Sequence, residues 1–370
     1  MIHQADPTQE TFVLNMGPQH PSTHGVLRVV LHCDGEYVLS ADPVIGYGHR
    51  MHEKMGEIRE HRGFYANVSR MDYAGPLPFA HAHVLAVEKL LGLEVPKRAE
   101  YIRAMTSELN RISSHLLWFG AFLLDLGAFT PILYAFDDRE IIYDLLEDLT
   151  GARLTYSYFR IGGVCRDVDD KFLEGTKAFV KRLRSKMPMY NDLVTGNVIF
   201  RKRVENVGHI PVDMALKYGA TGPVIRGSGV PYDVRKVEPY SVYPEFDFEI
   251  PCFTECDALA RYRVRMAEIE QSIRIIEQAI ANLPEGDYIA PKVPKVLKTS
   301  GEVYQAVEAA RGALGYYLVG EGTQNPYRMK IRPPSYSNLS LLRELTRGIL
   351  LSDLVAVMGS FDLVIPEIDR

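Results

Sequence analysis

The stretch RAEYIRAMTSELNRISSHLLWFGAFLLDL, Arg98 to Leu126, decides the fold. Ile102, Met105, Leu109, Ile112, Leu116, Phe119, Leu123 and Leu126 fall at alternating spacings of three and four, which puts them on one side of a single long helix. The same rhythm returns at Leu259, Tyr262, Met266, Ile269, Ile273, Ile276, Ile280 and Leu283, and Pro284 and Gly286 close it. Two long helices with narrow apolar seams pack side by side, and a shorter one over Asp138 to Leu149, stopped by Gly151, joins them. Leu116 to Phe136 is apolar enough to suggest a membrane span. Asp125 and Pro131 interrupt it, and the stretch reads as a buried core helix instead.

Outward from this core, Phe12 to Leu14, Val26 to His32 and Tyr37 to Leu39 read as strands, with a turn at Asp34-Gly35. Gly196 to Pro251 and Gly301 to Pro334, rich in Gly, Pro and aromatic residues, read as loops and short strands, and a final helix is expected over Leu339 to Met358. The fold class is therefore α+β: a long-helix bundle core, an N-terminal antiparallel β-layer and loop-rich peripheral β segments. Residues 1–60 form the β-layer and 61–370 the bundle, in one integrated unit.

Composition narrows the function. Among 370 residues, 42 Lys and Arg face 47 Asp and Glu, a net charge of −5, so no basic excess argues for nucleic acid. Four scattered cysteines, Cys33, Cys165, Cys252 and Cys256, fit a reducing compartment, and MIHQADPTQE at the start has neither the basic nor the apolar region of a secretory signal. No P-loop pattern occurs, and GPVIRGSG, Gly222 to Gly229, lacks the dinucleotide spacing, so its glycines are read as turn residues. Ten of the eleven histidines lie between His3 and His115, yet His49/His52 and His81/His83 lack a zinc-site order, and Cys252 and Cys256 have no second pair. His24 stands apart in a Pro-restrained, Gly-bounded loop between strands, where a rigid scaffold presents reactive groups. An imidazole there donates a proton near neutral pH if a carboxylate stabilises its cation, and Asp125 is a candidate for that carboxylate.

GPQHPSTHGVLR, Gly17 to Arg28, resembles the signature of the D-subunit family of respiratory complex I, the proton-pumping NADH:quinone oxidoreductases, which is itself related to the nickel-iron hydrogenase large subunit. Further matches follow in the family's order: IGYGHRMHEK (Ile45 to Lys54), RMDY (Arg70 to Tyr73), LAVEKLLG (Leu85 to Gly92), Arg98 to Trp118, LLDLGAFTP (Leu123 to Pro131), RIGGV (Arg160 to Val164), GPVIRGSGVPYDVRK (Gly222 to Lys236) and YRMKIRPPSYSNL (Tyr327 to Leu339). The resemblance covers nearly the whole chain and implies a hydrogenase-large-subunit-like fold.

It further implies that a membrane quinone, such as ubiquinone, puts its head into a pocket between this chain and a small iron–sulfur partner subunit. His24 and Tyr73 take the headgroup positions, and Asp125 the acidic residue bonded to the histidine. Donors aimed at the quinone oxygens stabilise the charge that reduction places there. Arg50 and Arg70 are placed near the partner's terminal 4Fe-4S cluster. The chain itself is expected to hold no cofactor and no metal, with NAD and FMN only elsewhere in the complex. A C-type peripheral-arm subunit and a membrane-arm subunit at the quinone entrance are the other partners. The expected location is the cytoplasmic face of the cell inner membrane, peripheral, without a transmembrane segment.

Hydrogenases need two CxxC motifs, and the tail here, SFDLVIPEIDR (Ser360 to Arg370), has no cysteine. The sequence departs from the family's pattern at Met51, where Gly is usual, at Ala313, where Glu is usual, at Ile365-Pro366, and in a short Leu283 to Glu302 segment. A soluble metal-dependent hydrolase using the N-terminal histidines, or a scaffold without catalysis, are the alternative readings.

Overall fold

In the computed structural model, which describes residues 11–20 and 25–370, the chain opens on an antiparallel sheet of β1 (Phe12–Met16), β2 (Arg28–Asp34) and β3 (Tyr37–Val44). Val29, Leu31 and Cys33 of β2 are fully buried while His32 between them is exposed, the alternation a half-buried strand requires. The turn expected at Asp34-Gly35 is present, with Gly35 at φ +57°.

Two short helices, α1 (His52–Ile58) and α2 (Tyr65–Val68), lead to α3 (Pro76–Leu91). α3 is buried nearly all round, so no polar face marks it in the sequence. α4 (Lys97–Asp125) is the predicted long helix, and its seam from Ile102 to Leu123 is buried. It stops because the chain turns at Gly127, φ +89°, and α5 (Thr130–Thr150) starts afresh with Pro131 in its first turn. Leu116 to Phe136 is thus two helices around a turn rather than one core helix. α5 begins well before Asp138 and ends as expected at Gly151, whose N–H reaches the Glu147 carbonyl at 2.8 Å.

A two-residue hairpin, β4 (Phe159–Arg160) and β5 (Gly163–Val164), precedes α6 (Asp170–Tyr190), where Asp169 caps the first turn by accepting from Phe172 N at 2.8 Å. The Gly196 to Pro251 region holds short helices, α7 (Val198–Val204), α8 (Val212–Lys217), α9 (Pro223–Arg226) and α10 (Val234–Val237), where short strands were expected. Asn197 and Asp233 cap two of them, a local signal stronger than the surrounding glycines and prolines. α11 (Ala258–Ala281), capped by Asp257, is the second long helix and packs along α4.

Gly301 to Pro334, expected as loops and short strands, is instead a long-stranded antiparallel sheet, β6 (Thr299–Ala309), β7 (Gly312–Thr323) and β8 (Arg328–Arg332). Its glycines serve close packing: a Cβ on Gly315 would run into the Tyr304 ring, and one on Gly312 would come 2.6 Å from Gly222 N. The final helix expected over Leu339 to Met358 is broken into α12 (Pro334–Leu339), α13 (Leu342–Leu345), the short strand β9 (Ile349–Leu350), α14 (Leu351–Phe361) and α15 (Ile365–Asp369). Gly348, φ +75°, makes the break, and its N–H bonds Val38 O at 2.7 Å as β9 joins β3. One apolar core fills the bundle and the β6–β8 sheet, and a second ties the N-terminal sheet to α14 and the C-terminus. Between α4 and α11 the polar faces are buried as well: Glu108 accepts from Ser272, and His115 meets Glu268.

Candidate functional site

Tyr73 lies in the turn between α2 and α3, 42% exposed, directly after the fully buried Asp72. One Asp72 oxygen accepts from Ala74 N at 2.9 Å and the other from Arg311 Nη1 at 2.8 Å. Gly75 keeps that second oxygen accessible, since a Cβ there would stand 2.7 Å from it. Arg311, in the tight β6–β7 turn, also donates to the Asp362 carbonyl at 2.9 Å and to Asp362 Oδ1 at 3.3 Å. Glu367 of α15 completes the group, with Oε1 accepting from Ser335 N at 2.8 Å.

Desolvation raises the Tyr73 phenol above its ordinary value of 10; Arg311 opposes the shift, while Asp72, Asp362 and Glu367 add to it. Tyr73 is therefore protonated at neutral pH and gives its proton only to a strongly basic acceptor. Burial, and then the charge of Asp72, pushes the Glu367 carboxyl up to about 8 against the pull of Arg311. Burial raises Asp362 to about 6, again opposed by Arg311.

Arg50 and Arg70 come together: Arg50 Nη2 donates to the Arg70 carbonyl at 2.7 Å, and Arg70 turns back to the Ala66 carbonyl. Both are exposed. Met51 beside them caps α1 at φ +54°, a left-handed conformation that explains why glycine suits this position. The loop before it is pinned to the chain end, where Asp369 accepts from Gly46 N at 2.8 Å and Gly48 N at 2.6 Å. A cavity of about 440 Å³ opens there between His49, Glu53, Tyr336 and Arg370. Glu53 gathers Arg328, Lys330 and Arg370 within 3.3 Å on its floor.

Asp125 is the last residue of α4 and half-buried, at the start of the turn whose Leu126, Phe129 and Pro131 line an apolar cavity of about 360 Å³ with Ile199 and Phe200. His24 lies outside the described residues, and its pairing with Asp125 and approach to Tyr73 lie outside them too. The N-terminal histidines His52, His61, His81 and His83 are core residues. Burial lowers all four, His61 to about 4 and His83 to about 3. Among the described residues no three His, Cys, Asp or Glu side chains are grouped to hold a metal ion, and the four cysteines are free thiols.

Sequence reasoning singled out Tyr73 and passed over Arg311, Asp362 and Glu367, which the structure sets behind it. Their signal was faint but present: two acids interrupt the apolar tail FDLVIPEI, and a buried acid demands a partner.

A sequence model of the family described as "Respiratory-chain NADH dehydrogenase, 49 Kd subunit" matches residues 125–300 and 294–370. The chain is 59% identical to the D subunit of the NADH-quinone oxidoreductase of Desulfotalea psychrophila, over 98% of this chain and 97% of that one. It is 60% identical to the D 2 subunit of Opitutus terrae, over 98% and 91%, and 48% identical to the D subunit of Geobacillus thermodenitrificans, over 97% and 99%. The chain belongs to this family. As a complex I D subunit it is one part of a multi-subunit NADH-quinone oxidoreductase, and the resemblance read from GPQHPSTHGVLR and the motifs after it holds. None of its described helices is long and apolar enough to cross a membrane.

Proposed function

We propose that this subunit forms one wall of the quinone-reduction site of a proton-translocating complex, with the quinone head held by His24 and Tyr73 against a small iron–sulfur partner. The observation that carries the reading is Tyr73 itself: a half-exposed phenol beside a buried charge cluster, kept protonated chiefly by desolvation. Reduction of a quinone builds negative charge on its two oxygens, and a donor already in place at each oxygen lowers the cost of that charge. Tyr73 gives its proton to one oxygen and His24 to the other, with Asp125 stabilising the imidazolium before transfer. Loss of the His24 proton removes a positive charge beside Asp125, a charge change able to bias a conformational switch toward pumping.

The electrons come from the partner's 4Fe-4S cluster, and Arg50 and Arg70, already adjacent, supply fixed positive charge beside it, which favours its reduced state. NAD and FMN belong to other subunits. A C-type subunit and a membrane-arm subunit at the quinone entrance are the further neighbours, on the cytoplasmic face of the inner membrane. The relation to the hydrogenase large subunit belongs to the same reading. The absence of a three-ligand group among the described residues favours it over the hydrolase alternative.

In the assembled complex, Tyr73→Phe is expected to cut quinone reductase turnover by about 10²-fold or more, the scale of a positioned proton donor, while NADH oxidation by an artificial acceptor upstream continues. His24→Ala should behave alike. Unchanged quinone reduction, or equal loss of both activities, counts against the reading.

A further inference from the structure

Two carboxyl groups bind one guanidinium behind Tyr73, and a third lies within reach of its charge. Asp72 comes from the turn before α3, Asp362 from the end of α14 and Glu367 from α15, all at most 5% exposed, and Arg311 stands among them. The other charged group facing them is Arg265 of α11, which acts on Asp362. Ser335 of α12 contributes its backbone N–H to Glu367. Asp72 has a donor on each oxygen, but Asp362 Oδ2 and Glu367 Oε2 are buried with no hydrogen-bond partner among the described residues. A bare buried oxygen costs an ionised carboxylate far more than a neutral carboxyl, which has no charge to solvate.

Resting on the reading of Tyr73 as a proton donor to quinone, we infer that the Glu367/Asp362 pair is a proton reserve that refills Tyr73 after each turnover. The electrons arrive from the partner's iron–sulfur centre and leave with the quinone. Tyr73 loses its O–H proton to the reduced quinone and becomes a phenolate. The carboxyl O–H of Glu367 then breaks, its proton passing to the phenolate and its electron pair staying on the carboxylate. Solvent returns a proton to the carboxylate before the next cycle. Arg311 acts as a positioning residue: it holds Asp72 and Asp362 in place and limits the charge left behind when the reserve empties. Glu367, pushed up to about 8, still carries its proton at neutral pH, so the reserve is loaded under working conditions.

The test uses the intact complex with a short-chain quinone. Wild-type turnover should fall as pH rises through about 8, where Glu367 empties. Glu367→Gln keeps the shape and one hydrogen-bonding oxygen but has no proton to release. It is expected to lower kcat by about tenfold, less than the 10²-fold or more of a direct proton donor, to leave the KM for quinone unchanged and to flatten that alkaline limb. Glu367→Asp should restore part of both. Wild-type turnover with a wild-type pH profile in assembled Glu367→Gln overturns the inference, as does a change in KM alone. Should Glu367→Gln not assemble, difference infrared spectroscopy on the wild-type complex decides: quinone reduction should bleach a protonated-carboxyl band, and a band that does not respond overturns the proposal. If Tyr73→Phe is fully active, the quinone-site reading itself fails. If Tyr73→Phe is inactive and Glu367→Gln is normal, only the reserve fails.

Discussion

Two buried charge clusters in this protein are built from the same residue types and differ in how their carboxylates are satisfied. Between α4 and α11, Arg111, Arg226 and Arg235 face Glu108, Glu268, Glu308 and Asp233, and every carboxylate oxygen has a donor. Behind Tyr73, one arginine faces three acids, and two carboxylate oxygens have no partner among the described residues. Near balance, with a donor on every carboxylate oxygen, holds a cluster in one state, as a structural network requires. Surplus acid with open oxygens leaves protons that can be taken up and released. The bundle network is therefore read as architecture, and the Tyr73 cluster as chemistry.

The strongest way to break the comparison is Arg226→Met. It leaves Glu268 and Glu308 in the bundle without their shared guanidinium, and removing one partner of a buried ionic network costs about 3–5 kcal/mol. Thermal inactivation of the complex should fall steeply in temperature, or the chain should fail to assemble. A variant as stable as wild type would mean that the network is not architectural. Acid attacks the same region. Burial alone would raise Glu100 and Glu268, but Arg103 and Arg226 overcome it, holding Glu100 at about 2 and Glu268 well below the carboxylate range. Both folded values lie below the ordinary 4.5, so this stabilisation is complete above about 4.5 and is lost as pH falls toward 2.

Arg311→Met is expected to cost less, because its acids can neutralise themselves by taking up protons. At pH 6 the loss should be about 1–3 kcal/mol, the penalty of unsatisfied polar groups, and it should grow by pH 8. The sign follows from Glu367 and Asp362, whose folded values of about 8 and 6 lie above the ordinary 4.5 and 3.8. What these groups contribute is present below their ordinary values and is lost as pH rises through the folded ones. Thermal inactivation at the two pH values measures it. A loss that shrinks on going to pH 8 would contradict the protonated state of the cluster.

Much of the architecture was legible because apolar periodicity reports directly on burial: Ile102 to Leu123 and Leu259 to Ile280 delivered both long helices. α3 went unread because a helix buried on all sides has no polar stripe, and β6 and β7 because the glycines that admit Tyr304 look like loop residues. The bundle network was hidden for a related reason. A seam argument assigns Glu108, Arg111 and His115 to solvent, and only the facing stripe of α11, distant in sequence, puts them in the interior. At the candidate site, RMDY was readable as a motif, and it exposed Tyr73 and Arg70. Asp72's partner Arg311, and Asp362, which accepts from the same guanidinium, come from chain positions hundreds of residues away, brought in by tertiary packing alone.

The smallest effect belongs to a third cluster with the stoichiometry of the one behind Tyr73. Arg153 is ringed by Glu140, Asp144 and Glu147, again one guanidinium among three acids, but on the surface, with side chains 40% to 70% exposed. Water solvates those acids whether or not the arginine is there, and salt screens them. Arg153→Gln should leave quinone reductase turnover, its pH profile and the thermal inactivation midpoint where they are. If it instead reproduced the pH-dependent loss of Arg311→Met, the ratio of acids to arginine would be the deciding variable and burial would not. An unchanged variant leaves burial, with its bare carboxylate oxygens, as what separates a solvated ion cluster from a proton store.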